Sequence, residues 1–234
     1  MKTLRILISL SIAFTMTVIL TQCSKSSNKK ASCEILTVTP SPNGTPFHFT
    51  YNADGKPSRV ESSNFVMTYE YLVGSAIIVT FNSGNFQSKT IATLNKDGLA
   101  TMVRTEFDTL GTSWSNTFYE YNRLELSRST FTSSTGGRPV ISTYTWDNQN
   151  LVISNTDTSS VTYGYYTNKP LQTGDYFLLV QQLQGYDIYR NKNLLKSIDN
   201  TFLNYQFGTD GKINSLSATT GANENFINYE YQCD

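Results

Sequence analysis

The sequence predicts an all-β fold: an antiparallel meander of about 12–14 strands in tyrosine–aspartate repeats, forming an elongated curled sheet or open barrel, with one short helix near 174–184. Three observations carry that reading. Tyr 15 and Phe 13 with only 15% charged residues is the composition of pleated, half-buried surfaces. Apolar and polar residues alternate with period two through most of the chain, as strands with one covered face require. A Tyr-Glu-Tyr triplet recurs at 69–71, 119–121 and 229–231, with a looser Tyr-Gly-Tyr-Tyr at 163–166.

Taken in order, "FHFTYN" places Phe47, Phe49 and Tyr51 on one face and His48 and Thr50 on the other. In "FVMTYEYL" the residues Phe65, Met67, Tyr69 and Tyr71 share a face, and Glu70 points away. "SAIIVTFN" groups Ile77, Val79 and Phe81, and "RPVISTYTW" aligns Val140, Ser142, Tyr144 and Trp146. Turn signals separate these runs: Asp-Gly at 54–55, 97–98 and 210–211, a degenerate Asp147-Asn148, and the Ser/Gly-rich 82–85 and 132–137. Asp-Gly supplies the positive φ of tight hairpin turns. The Asp-Gly turn and the tyrosine strand after it form a unit repeated about four times, with loops of different length. The repeated tyrosines are expected to form the covered face, stacking as aromatic cross-strand pairs.

One segment breaks the alternation. "TGDYFLLVQQLQG" carries Tyr176, Leu179, Val180 and Leu183 at helical spacing, with Thr173 or Asp175 to cap its start and Gly185 its end. The spacing predicts a short helix laid across a sheet face or over an open end. Strand character returns after 186.

The N-terminus sets the compartment. Lys2 and Arg5 precede an apolar stretch from Ile6 to Leu20, then "LTQC", the layout of residues 1–22 as a lipoprotein signal peptide with Cys23 as the lipidated residue. The apolar stretch is short for a membrane span, so Cys23 and its acyl (palmitate-type) chains anchor the protein without crossing the bilayer. Residues 24–32, "SKSSNKKAS", are polar and lack apolar content, so 23–32 reads as a lipidated flexible tether and 33–234 as a single β-repeat domain. Lipoproteins of the Bacteroidetes type exported to the cell surface tend to carry acidic residues just after the lipidated Cys. By that likeness the basic tether favours the periplasmic side of the outer membrane over the cell surface. From residue 33 onward 13 Lys+Arg face 18 Asp+Glu, a net charge of −5 that sets nucleic acid aside as a partner. The remaining cysteines, Cys33 and Cys233, bracket the domain; a disulfide or two free thiols both fit, the former requiring first and last strands side by side.

The order of "YNADGKPSRV", "YEYL", "TNKPLQTGDYFLLVQQL", "NKNLLKSI" and "YQFGTDGKINSL" resembles an uncharacterised family of Bacteroidetes lipoproteins built from YD/RHS-like repeats. The resemblance implies a strand–turn repeat over nearly the whole chain after residue 33 and transfers no activity.

Chemistry is sparse. There is no nucleophile elbow, zinc-protease signature or phosphate loop, and the single histidine, His48, lies on a solvent-facing strand position. Glu70, Glu120 and Glu230 recur opposite the tyrosines as solvated strand residues, the alternative being a glycan hydrolase with paired carboxylates. Asp54, Asp97 and Asp210 offer one carboxylate per turn, short of a calcium site; no metal and no cofactor is implied. The expected function is a lipid-anchored, non-catalytic binding or scaffold module of the cell envelope, for a glycan or protein ligand, with Trp114 and Trp146 as stacking platforms. "DTL" at 108–110 marks Thr109 as a candidate O-glycosylation site.

Overall fold

Alternation of this kind leaves every strand with one face to cover, and in the computed structural model the chain solves the problem by closing on itself. The structure describes residues 33–41, 44–221 and 223–233; the signal peptide, Cys23 and the tether lie outside them. The first half comprises β1 (Cys33–Ser41), β2 (Phe47–Tyr51), β3 (Pro57–Ser62), β4 (Phe65–Leu72), β5 (Ser75–Asn82), β6 (Asn85–Leu94), β7 (Ala100–Glu106) and β8 (Trp114–Asn122). β9 (Glu125–Ser133), β10 (Val140–Asp147), β11 (Asn150–Thr156) and β12 (Ser160–Pro170) follow. Helix α1 (Tyr176–Gln184) then leads to β13 (Asn193–Ile198), β14 (Thr201–Phe207), β15 (Ile213–Thr220) and β16 (Asn223–Cys233).

Each strand pairs antiparallel with its sequence neighbours, and β1 pairs with β16 to complete a closed barrel. Of the two expected forms the barrel is the one adopted, and the elongated curl is not; the barrel is closed, and it has sixteen strands, not 12–14. Closure comes from a seam running from Cys33 opposite Cys233 to Ser41 opposite Phe226, with a bulge between Ile35 and Thr37. The Cys33–Cys233 disulfide fastens it.

Because strands alternate in direction, the turns sort onto two mouths. Cys33, Cys233 and the turns at 52–56, 95–98, 123–124, 148–149 and 208–212 share the mouth called proximal here. The Asp-Gly turns behave as predicted, with Gly55, Gly98 and Gly211 at φ 72°, 78° and 81°. Two are built alike. The Asn52 side-chain oxygen accepts from the Asp54 and Lys56 N–H groups, and that of Asn95 from Asp97 and Leu99.

The tyrosines face the bore. Tyr69 and Tyr229 are buried, and Tyr51, Tyr71, Tyr119, Tyr163, Tyr165, Tyr205 and Tyr231 pack against the same core. Several of their hydroxyls bond backbone carbonyls of the wall. Tyr51 donates to the Ile35 carbonyl (2.7 Å), Tyr165 to Leu151 (2.7 Å), Tyr166 to Leu203 (2.9 Å) and Tyr231 to Ile213 (2.7 Å). Each such bond satisfies a polar group that burial would otherwise penalise. In β5 the inward residues are Ala76 and Ile78, opposite Tyr71 and Tyr69, so Ile77, Val79 and Phe81 face outward.

Sixteen-stranded barrels ordinarily leave an aqueous channel. This one is filled. α1 starts at Asp175, whose carboxylate caps the Phe177 and Leu178 N–H groups and also accepts from Leu195 N–H of β13 and the Tyr205 hydroxyl of β14 (both 3.0 Å). At its other end the Leu183 carbonyl accepts from Tyr69 of β4 (2.9 Å), on the opposite wall. Phe177 lies 5.5 Å from the Tyr163 ring and 5.0 Å from Tyr189. The helix thus crosses the bore; it is not laid on a face. Gly185 ends it at φ 75°, where an added Cβ would stand 2.7 Å from the Tyr69 ring.

Candidate binding mouth

The chain leaving α1 closes the proximal mouth. Ala100 N–H donates to the Asp187 carbonyl (2.8 Å), and Tyr121 donates to the carbonyls of Ala100 and Ile188. Lys192 N–H reaches the Gln149 carbonyl, and Leu151 N–H the Asn191 Oδ1 (2.9 Å). Beneath these, Asn150 Oδ1 accepts from Lys192 and Asn193 N–H (3.0 Å each) while its Nδ2 donates to Asn193 Oδ1. Residues 187–193 are therefore bolted to the β7, β8 and β11 ends by buried amides. Sequence reasoning missed this segment, although the side-chain amides Asn150, Asn191 and Asn193 are the one available signal.

Two clefts open on either side of Arg190, which donates to Asp187 and to the Asp97 carbonyl. One, of about 340 Å³, is lined by Lys56, Tyr71, Leu178, Gln182 and Tyr186 among others. Burial pushes the phenols of Tyr71 and Tyr186 up to about 12. The second, of about 550 Å³, is lined by Asn122, Arg123, Leu124, Glu125, Trp146, Gln149, Arg190, Asn191 and Lys192. Each cleft is lined by a residue with a buried amide atom that lacks a partner: Gln182 (Oε1) in the first, Asn191 (Nδ2) in the second.

The two tryptophans are not brought together. Trp146 lines the second cleft, its indole N–H donating to the Leu126 carbonyl (2.8 Å). Trp114 begins β8 at the far mouth, on the outer wall, under the Arg104 guanidinium at 5.0 Å. Thr109 is exposed in the loop between β7 and β8. That loop is organised by Asp108, whose carboxylate accepts from the N–H groups of Leu110, Thr112 and Ser113 and from the Thr112 hydroxyl, holding it down at about 2. His48 is exposed, 3.5 Å from the Thr37 hydroxyl.

Paired acids do not form from the repeat. Glu70 lies opposite Ile77, Glu120 opposite Arg128 and Glu230 opposite Thr37, on separate parts of the outer wall. Among the described residues no group of three or more His, Cys, Asp or Glu is placed to hold a metal ion.

No protein-family model matches the chain, and no curated protein matches it. Solved structures do. A porin-like protein from Bacteroides uniformis ATCC 8492 superposes with a TM-score of 0.60 at 15% identity, over 85% of this chain and 98% of that one. A porin-like protein from Bacteroides vulgatus ATCC 8482 does so with a TM-score of 0.61 at 16% identity, over 86% and 99%. The fold is thus shared with porin-like barrels, and the resemblance to YD/RHS-repeat lipoproteins is overturned. The turn-and-tyrosine order that carried it is what any meander needs when its inner face is aromatic, and here that meander closes into one barrel.

Proposed function

We propose that this chain is a plugged, water-facing barrel tethered to the outer membrane through Cys23, acting in the cell envelope as a non-catalytic binding or scaffold module and not as a pore. The observation that carries the reading is the outer wall. Lys89, Arg104 and Arg128 sit near the middle of β6, β7 and β9, beside the outward carboxylates Glu106 and Glu120. Arg104 pairs with Glu106 at 2.9 Å, Arg128 with Glu120 at 3.4 Å, and Arg59 with Glu61 at 2.9 Å. A Lys or Arg on the lipid face of a spanning barrel costs about 2–4 kcal/mol at the midplane. Three of them at mid-height disfavour burial in hydrocarbon by roughly 6–12 kcal/mol.

Strand length argues the same way. Tilted spanning strands need about 9–11 residues, whereas β2 has 5, β3 6, β7 7 and β13 6. The bore, crossed by α1 and lined by hydrogen-bonded tyrosines, has no role left for conduction. The layout of residues 1–23 supports the tether, and the porin-like description of the structural neighbours fits an envelope address.

The test is fractionation of cells expressing the full chain or a variant in which residues 1–23 are exchanged for a cleavable secretory signal without the cysteine. The tethered reading expects the parent in the outer membrane and the variant, once its signal is cleaved, released as soluble protein. Retention of the cleaved variant in the outer membrane until detergent is added would establish a spanning barrel instead and refute the proposal.

A further inference from the structure

We infer that the Trp146 cleft at the proximal mouth binds a sugar ring bearing a single carboxylate. The inference names a site and a ligand class that the tethered-barrel reading leaves open, and it holds or fails independently of the tether.

The cleft is a built feature. Its floor, residues 191–192, is held to the β10–β11 turn by the buried Asn150–Asn193 amide pair and by Asn191 Oδ1 on Leu151 N–H. Trp146 is fixed through its indole N–H on the Leu126 carbonyl, so the ring keeps its orientation with or without a ligand. A fixed aromatic side chain beside polar groups is the common platform for the apolar C–H face of a sugar. The volume, about 550 Å³, is suited to a mono- or disaccharide.

The polar lining specifies the ligand's charge. Arg190 is occupied by Asp187, whereas Arg123, Lys192 and Glu125 form no salt bridge among the described residues. Two available cations against one carboxylate leave a single positive charge, the complement of one carboxylate and too little for a phosphate dianion. Glu125 can accept ring hydroxyls that the cations cannot serve. Asn191 is 93% buried, since 7% of it is exposed, and its Nδ2 has no partner, so the floor holds an unsatisfied donor beside the cleft.

The test uses tryptophan fluorescence of the full chain in detergent. Trp114→Phe leaves Trp146 as the sole tryptophan reporter, since the chain has two. The probes are glucuronate and galacturonate disaccharides and N-acetylneuraminate, each set against glucose and galactose disaccharides. At least one acidic sugar is expected to change the signal saturably and to bind about tenfold more tightly than the neutral sugars. Arg123→Ala with Lys192→Ala should weaken it by about tenfold or more, with an unchanged circular dichroism spectrum. No saturable change with any acidic sugar up to about 10 mM, a limit near the weakest useful affinities, would overturn the inference. Equal binding of neutral sugars, or affinity untouched by the double substitution in a folded protein, would overturn it equally.

Discussion

Asp175 is the residue on which the plug depends, and Asp175→Ala measures how much. Its two oxygens accept four hydrogen bonds: Oδ1 from the Phe177 and Leu178 N–H groups, Oδ2 from the Leu195 N–H and the Tyr205 hydroxyl. The residue is completely buried. Removing an N-cap costs about 1 kcal/mol, and each buried donor left without a partner costs roughly 1–3 kcal/mol. With Leu195 N–H and Tyr205 stranded, the gross loss is about 3–7 kcal/mol. Relief from holding a carboxylate out of water offsets part of it, so a net loss of about 3 kcal/mol is expected. For a domain of this size that lowers Tm by roughly 6–12 °C, read by near-ultraviolet circular dichroism of the tyrosine core. A second arm uses pH. Burial is the largest influence on this carboxyl and pushes it above the ordinary carboxylate range, against the four donors that pull it down. A raised folded value means its proton linkage favours the fold below the unfolded pKa near 4 and fades as pH rises through the folded one. The parent's advantage over Asp175→Asn should therefore shrink as pH rises from about 4 towards neutrality. A Tm change of under about 2 °C for Asp175→Ala, or an advantage that grows with pH, would refute this account of the plug.

Reducing the Cys33–Cys233 disulfide, or replacing both cysteines by Ser, reopens a sequence separation of 200 residues; the chain-entropy model gives a loss of about 5 kcal/mol, checked by denaturant titration with and without reductant. Gly185→Ala places a Cβ at positive φ and 2.7 Å from Tyr69; a loss of about 2–4 kcal/mol is expected, with the helix signal weakened in the far ultraviolet. Alkaline titration followed by phenolate absorbance should find Tyr71 and Tyr186 still protonated at about pH 11. Since both are raised from 10.0, they favour the fold below that pH, and their contribution is lost as pH climbs through about 12. Full phenolate absorbance in the folded protein at about pH 10 would contradict the buried-tyrosine core.

Much of this architecture was legible because its causes are local. Asp54-Gly55, Asp97-Gly98 and Asp210-Gly211 specify positive-φ turns by backbone sterics alone, and Tyr69 and Tyr71 share a face wherever a strand is pleated. Asp175 and Gly185 framed the helix by capping chemistry. What escaped is non-local. Alternation says that two faces differ without saying which is inside, and β5 is apolar on both, so grouping Ile77, Val79 and Phe81 left open that Ala76 and Ile78 fill the core. Closure depends on β1 meeting β16, for which Cys33 and Cys233 were the sole hint. Nothing in the local pattern announces that α1 enters the bore. Trp146 was identified as a platform, but its neighbours Arg123 and Lys192 are 69 residues apart in the chain and meet only because residues 187–193 cross the mouth.

The β1–β16 seam also dictates when the molecule can come into being. A meander of hairpins can zip up as each pair of strands emerges, yet its first strand has no second neighbour until β16 arrives. The ring cannot exist until β16 has emerged, and until then both rims of the growing ribbon stay open to other chains. Pairing of β1 with β16 converts a completed ribbon into an edgeless molecule, and oxidation of the two cysteines locks it.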